Sequence, residues 1–159
     1  MTMKKHILIC VGIVMVLLVG ATGVLWGMSH PMQNTAYAAD PNAQAWSPSA
    51  ELATQESTGI HIPGYGEIFF PEGEQDVSIT LYNPQKNDCI LVYSLYVNDE
   101  TEPIYTSGGI EPGKAVQQIS LSHALEAGEY TLKLHITPYD PQTGSMLNQA
   151  DVSAPLLVG

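Results

Sequence analysis

Cysteine, histidine and carboxylate side chains are the groups in this sequence able to serve as nucleophile, base or metal ligand, and their spacing decides which roles are open. Cys89 opens the apolar stretch Cys89–Val97 with no basic neighbour to favour a thiolate, so it reads as a small core residue. Cys10 lies inside an N-terminal apolar run and is preceded by Ile9, where a lipid-modified cysteine needs a small residue. The two belong to different compartments of the chain and are not expected to pair. His6 and His30 flank the apolar run, while His61, His123 and His135 fall on separate strands or loops. No H-x-H or H-x-x-x-H spacing occurs, so zinc would require convergence in space alone. G-x-S-x-G, a glycine-rich phosphate loop and an EF-hand pattern are likewise absent. These residues predict neither an enzyme nor a cofactor.

Carboxylates gather instead in turn-like stretches. Glu72, Glu74 and Asp76 occupy the first, Asp99, Glu100 and Glu102 the third, and Glu126 with Glu129 the fifth. If consecutive strands alternate in direction, odd-numbered turns share one end of the domain. Calcium takes six to eight oxygens from flexible loops, which makes the first six of these residues weak calcium candidates and a calcium-dependent adhesion module a minor alternative. Solubility and turn formation are the favoured account of them, since no D-x-D-x-D ladder singles out a loop. Four tyrosines, Tyr82, Tyr96, Tyr105 and Tyr139, fall at strand ends or opposite the expected core. Tyrosine supplies rigid area with a polar tip, so these four form the candidate partner surface; the residue also favours strands for structural reasons.

Charge is divided by position. Lys4 and Lys5 precede the apolar run, whereas Lys86, Lys114 and Lys133 and all sixteen acidic residues follow it. The part after Met28 carries a formal net of −13 and no arginine. Phosphate backbones and anionic lipid surfaces are bound by clustered Lys and Arg, so nucleic acid and peripheral lipid attachment are excluded as partners.

These groups need elements to carry them. Ile7–Met28 is an uncharged apolar run of 22 residues, roughly 33 Å as a helix and enough for a hydrocarbon core of about 30 Å. With Lys4 and Lys5 before it and no Lys or Arg for dozens of residues after it, 1–28 reads as a signal-anchor helix with its N-terminus inside. Ala36-Tyr37-Ala38 is an A-x-A peptidase site, so secretion after cleavage at Ala38 stays open. Its distance from the run and the run's length favour a retained anchor. Residues 29–59, rich in Ala, Gln, Asn, Ser, Thr and Pro without sustained period, are expected to be a flexible stalk.

From Ile60 the chain alternates short β-type runs with Gly, Pro, Asn and Asp turns. The runs are Gly66–Phe70, Val77–Leu81, Cys89–Val97, Pro103–Thr106, Ala115–Leu121, Tyr130–Thr137 and Ala150–Val158. Cys89–Val97 is apolar on both faces, as a central strand is; Tyr130, Leu132, Leu134 and Ile136 alternate with Thr131, Lys133, His135 and Thr137. Seven short antiparallel strands in residues 60–159 predict an all-β, seven-stranded immunoglobulin or fibronectin-III-like sandwich. Leu125, Gly128 and Tyr130 have the layout of a tyrosine corner, in which a ring at the start of a strand returns its hydroxyl to the backbone just upstream. The cysteine pair and buried tryptophan of antibody domains are missing.

The stretch from Ile60 to Val158 resembles a group of small exported proteins of Gram-positive bacteria, often met on conjugative mobile elements, whose role is not established. The residues carrying the resemblance are Ile60-His61-Ile62-Pro63-Gly64-Tyr65, Leu81-Tyr82-Asn83-Pro84, Asn87, Cys89, Ser107, Ile110, Pro112-Gly113-Lys114, Leu125, Gly128, Tyr130, Leu147-Asn148 and Ala150. It implies a sandwich tethered at the cell surface and brings no catalytic residue. The expectation is a single-pass, outward-facing module that binds or scaffolds a protein of the envelope. The alternative is an inhibitor or immunity-type sandwich acting through the loop Tyr139–Met146.

Overall fold

A computed structural model describes residues 37–48 and 59–159. The expected membrane helix 1–28, and the stalk residues 29–36 and 49–58, lie outside the described residues. What is described is all-β. Its strands are β1 (Gln44–Ala45), β2 (Ile68–Phe70), β3 (Asp76–Tyr82), β4 (Ile90–Val97), β5 (Tyr105–Thr106), β6 (Lys114–Ser120), β7 (Gly128–Tyr139) and β8 (Ala150–Val158). They form a three-stranded sheet in the order β1-β6-β3 and a five-stranded sheet in the order β2-β8-β7-β4-β5.

Period-two alternation builds the core between the sheets. Val77, Ile79 and Leu81 of β3 with Val116 and Ile119 of β6 come from one sheet. They meet Leu91, Tyr93, Leu95 and Val97 of β4, Leu132, Leu134 and Ile136 of β7, and Leu156 and Val158 of β8. Burying each such aliphatic chain is worth about 1.5–3 kcal/mol, and this core stands without a disulfide, since Cys89 is free and buried. Burial, with Asp88 adding to it, pushes the Cys89 thiol up.

Two expectations are corrected. Strand β2 runs parallel to β8 rather than antiparallel, with Ile68 opposite Leu156 and Phe70 opposite Val158. That placement buries Phe70 and lets Gly159 N–H donate to the Phe70 carbonyl at 3.2 Å. Pro155 stands just before β2 begins to cover β8, where one edge of the strand has no neighbour to take an N–H. Among the described residues there are also eight strands rather than seven, because β1 forms within the expected stalk and pairs antiparallel with β6, Gln44 opposite Ala115.

Alternating strand direction brings the odd-numbered turns together. Gly73 N–H donates to Leu125 O at 3.0 Å, Leu121 N–H to Gln75 O at 2.8 Å, and Ser122 N–H to Ile104 O at 2.8 Å. The turns at 83–89, 107–113 and 140–149 occupy the other end, around a buried amide network. Asn83, fully buried, donates through Nδ2 to the carbonyls of Cys89 and Ile110, each at 2.8 Å. Its Oδ1 accepts from Asn87 Nδ2 at 2.8 Å. Asn87 in turn holds both main-chain groups of His61, accepting from its N–H at 2.7 Å and donating to its carbonyl at 2.9 Å. Lys114 N–H closes a turn on Glu111 O at 3.1 Å, with Pro112 and then Gly113 at φ 76° between them. That is a type II turn, whose third residue needs a positive φ.

Across this same end lies residues 37–48, a strap. Asp40 N–H donates to Gly109 O at 3.0 Å, Gly109 N–H to Ala38 O at 2.6 Å, and Trp46 N–H to Gly113 O at 2.9 Å. The buried Asp40 carboxylate accepts from Gly108 N–H at 2.8 Å through one oxygen and from Asn42 N–H at 2.8 Å through the other. Close approach explains Gly108-Gly109: a Cβ on Gly108 would stand 2.6 Å from Asp40 Cα, and one on Gly109 2.5 Å from the Tyr37 ring. Residues 37–48 are therefore part of the domain rather than a flexible stalk.

Candidate functional site

The four candidate tyrosines separate into three and one. Tyr82 meets Trp46 edge-on with ring centroids 4.4 Å apart, and Tyr139 meets Tyr37 at 5.2 Å. Tyr105 lies beside Asp40; burial first, and that carboxylate second, push its phenol up to about 12. All three face the strap. They are a contact surface, as tyrosines at strand ends suggest, but the chain covers it with its own residues 37–46. Two aromatics in an otherwise polar stretch, Tyr37 and Trp46, and the Gly108-Gly109 pair were the signals of this docking.

Tyr96 alone of the four points outward, on the free face of the five-stranded sheet. Register explains what surrounds it. Tyr96 is paired with Lys133 across β4 and β7, and His135 with Asp151 across β7 and β8, and residues directly opposite on one face of a sheet interact. Lys133 Nζ accordingly sits 4.8 Å from the Tyr96 ring centroid, a cation–π contact. His135 Nδ1 lies 2.6 Å from Asp151 Oδ1. Tyr96, Lys133 and His135 share an open depression of about 440 Å³ with Asp99, Glu100 and Thr101 from the turn after β4. The turn is fixed by Asn98, at φ 50°, whose N–H donates to Thr131 O at 2.8 Å and whose Oδ1 accepts from Thr131 N–H at 2.9 Å.

Chemically the depression offers an aromatic face, one ammonium, one imidazole held by a carboxylate, and two carboxylates at the rim. Ser94 is His135's partner across the sheet, but its hydroxyl lies 3.3 Å from that of Thr106, and no hydrogen bond joins it to His135. The depression therefore presents a His–carboxylate pair next to a cation–π pair, with groups of both charges at its rim.

The remaining candidates are elsewhere. Glu72, Glu74, Asp76, Glu102, Glu126 and Glu129 sit with Asp99 and Glu100 around the end opposite the strap. Among the described residues, no group of three His, Cys, Asp or Glu side chains is placed to hold a metal ion. In the corner, Tyr130 donates its hydroxyl to the Glu126 carbonyl at 3.0 Å over a buried Leu125. Its ring is half-buried rather than enclosed. Gly128 does not have a positive φ; a Cβ there would stand 3.3 Å from the Tyr130 ring, a tight contact that the ring would have to relieve. The loop after β7 is self-braced: Asp140 Oδ1 accepts from Gln142 N–H at 2.7 Å and Thr143 N–H at 2.9 Å. Those two donors hold the Asp140 carboxyl below the usual range. Beyond them Met146 and Leu147 are exposed.

No protein-family model matches the sequence, and neither does any curated protein. Among the described residues no helix is long and apolar enough to cross a membrane.

Proposed function

We propose that the chain is a membrane-tethered, outward-facing binding module of the cell envelope, without catalytic activity, whose domain is an immunoglobulin-like sandwich. The strand order β2-β8-β7-β4-β5 facing β6-β3 supports that topology, with β2 entering beside the last strand and the corner tyrosine opening β7. The apolar run 7–28 with its basic cap supports the tether. The observation that carries the binding role is the Tyr96–Lys133–His135–Asp151 group, a mixed-charge patch on the sheet face that the described residues leave uncovered. Its partner is a protein presenting carboxylate and basic groups together, since Lys133 offers a cation and Asp99 and Glu100 offer anions. A place beside a conjugation machine rests on the resemblance alone.

A second reading, an inhibitor acting through Tyr139–Met146, draws on the braced loop with exposed Met146 and Leu147.

The test uses the full chain in intact cells. The proposal expects it in the membrane fraction with its N-terminus retained, and Lys133 modified by an amine reagent that cannot cross membranes. Recovery in the medium, or labelling only after lysis, would contradict it.

A further inference from the structure

We infer that Ala38–Ala39 is a conditional processing site, closed while the strap is docked and open when it is not. The inference rests on the tethered reading and adds its regulation. A peptidase of A-x-A specificity takes its substrate as an extended strand and lets a nucleophile reach the carbonyl carbon of the residue before the cut. In the folded chain the groups it would use are engaged on both sides of the bond. The Ala38 carbonyl oxygen accepts from Gly109 N–H at 2.6 Å, and Asp40 N–H donates to Gly109 O at 3.0 Å. Ala39 itself pairs with Gly109 as a parallel bridge. Tyr37, between the two alanines of the motif, packs on Tyr139 at 5.2 Å. The side chains of Ala38 and Ala39 are exposed, so the bond is at the surface; its main chain is what is withheld.

Docking is secured one residue beyond the bond, by the Asp40 carboxylate on Gly108 N–H, and Gly108 belongs to a turn that emerges from translocation about 70 residues later (extended, about 3.3–3.6 Å of chain per residue). A peptidase meeting the chain early finds an open site, whereas one meeting it after β4, β5 and β6 have formed finds a strand already paired. The reaction is hydrolysis: water adds across the Ala38–Ala39 C–N bond to leave a carboxylate on Ala38 and an ammonium on Ala39. The freed domain keeps Asp40 and Trp46 but loses the Ala38–Gly109 bond and the Tyr37 contact. The strap is thus a folding-gated choice between anchored and released forms.

The experiment follows the full chain by pulse–chase in cells that translocate it, with fractionation and N-terminal sequencing of anything in the medium. Wild type should stay with the membrane, while Asp40→Ala and Gly108→Ala release a species beginning at Ala39. Losing one buried hydrogen-bonded acceptor should raise the undocked fraction of the folded chain, and with it late release, about tenfold. Adding Ala38→Phe, which a small-residue site rejects, should return both variants to the membrane. Amide exchange of Leu91, Leu95 and Leu134 in each variant shows that the core is intact. Wild type already cut at Ala39 would sink the tethered reading. Wild type retained, with both folded strap variants equally retained, would sink the gate alone.

Discussion

At the scale of residues, polar side chains define this domain as much as apolar ones do. Asn83 satisfies two carbonyls and the Asn87 amide from a fully buried position. Asn83→Ala orphans all three and should cost about 3 kcal/mol in urea unfolding; a loss under 1 kcal/mol would mean that water replaces the amide. Tyr130→Phe removes one partly exposed hydrogen bond and should cost about 1 kcal/mol. Gly128→Val should cost more, because the ring must move away from the new methyl groups. The corner was legible in the sequence because a tyrosine corner is local, spanning Leu125 to Tyr130. Asn83 and Asn87 were legible only as turn formers: a side chain's remote carbonyl partners leave no trace in spacing. The candidate site was half legible. Tyr96 stood out by type and by its face of β4, whereas Lys133, His135 and Asp151 join it through register between strands, which is set by the whole sheet.

Among elements, seven strands were readable because turn residues bound each β-type run, as Gly73 and Asn83 bound β3, whether the run alternates or, like β4, is apolar on both faces. The parallel entry of β2 and the docking of residues 37–48 were not. β2 has three residues, too few to show a direction, and β1 has two. The strap's affinity lies in distant partners, Gly108, Gly109, Gly113 and Tyr82, so composition alone made it a linker. Trp46 gives a direct report on this element. In a Trp26→Phe chain it is the sole tryptophan, and its emission should be shielded from acrylamide by contact with Tyr82. Tyr82→Ala should expose it to quenching while leaving the unfolding midpoint of the core strands within about 1 kcal/mol of its original stability. Equal quenching in both chains would show that the strap does not rest on Tyr82.

Taken whole, the domain formed by the described residues has one end closed by the strap and the buried amides, an acidic end opposite, and a sheet face between them. Its alkaline behaviour follows from the closed end. Tyr65 is pushed up to about 12, mainly by burial, and Tyr93 is shifted in the same direction. Tyr93 donates to Tyr82 O at 2.6 Å, while the buried Tyr65 hydroxyl beside it makes no well-formed hydrogen bond among the described residues. An unfolded chain releases these phenolic protons from pH 10, whereas the folded chain holds them to higher pH. The stability they confer is therefore whole below pH 10 and lost between 10 and about 12. Unfolding midpoints should drop across that window, and Tyr65→Phe should shallow the drop; an unchanged slope would remove Tyr65 from the account. The functional claim is that the uncovered sheet face meets the partner, and site-specific photo-crosslinking in intact cells tests it most directly. With the crosslinking residue placed in turn at Tyr96, Tyr82, Glu126 and Met146, the account predicts a discrete protein adduct in the membrane fraction from Tyr96 and none from strap-covered Tyr82. Adducts from Glu126 or Met146 with none from Tyr96 would contradict it, moving the interface to the acidic end or to the loop after β7.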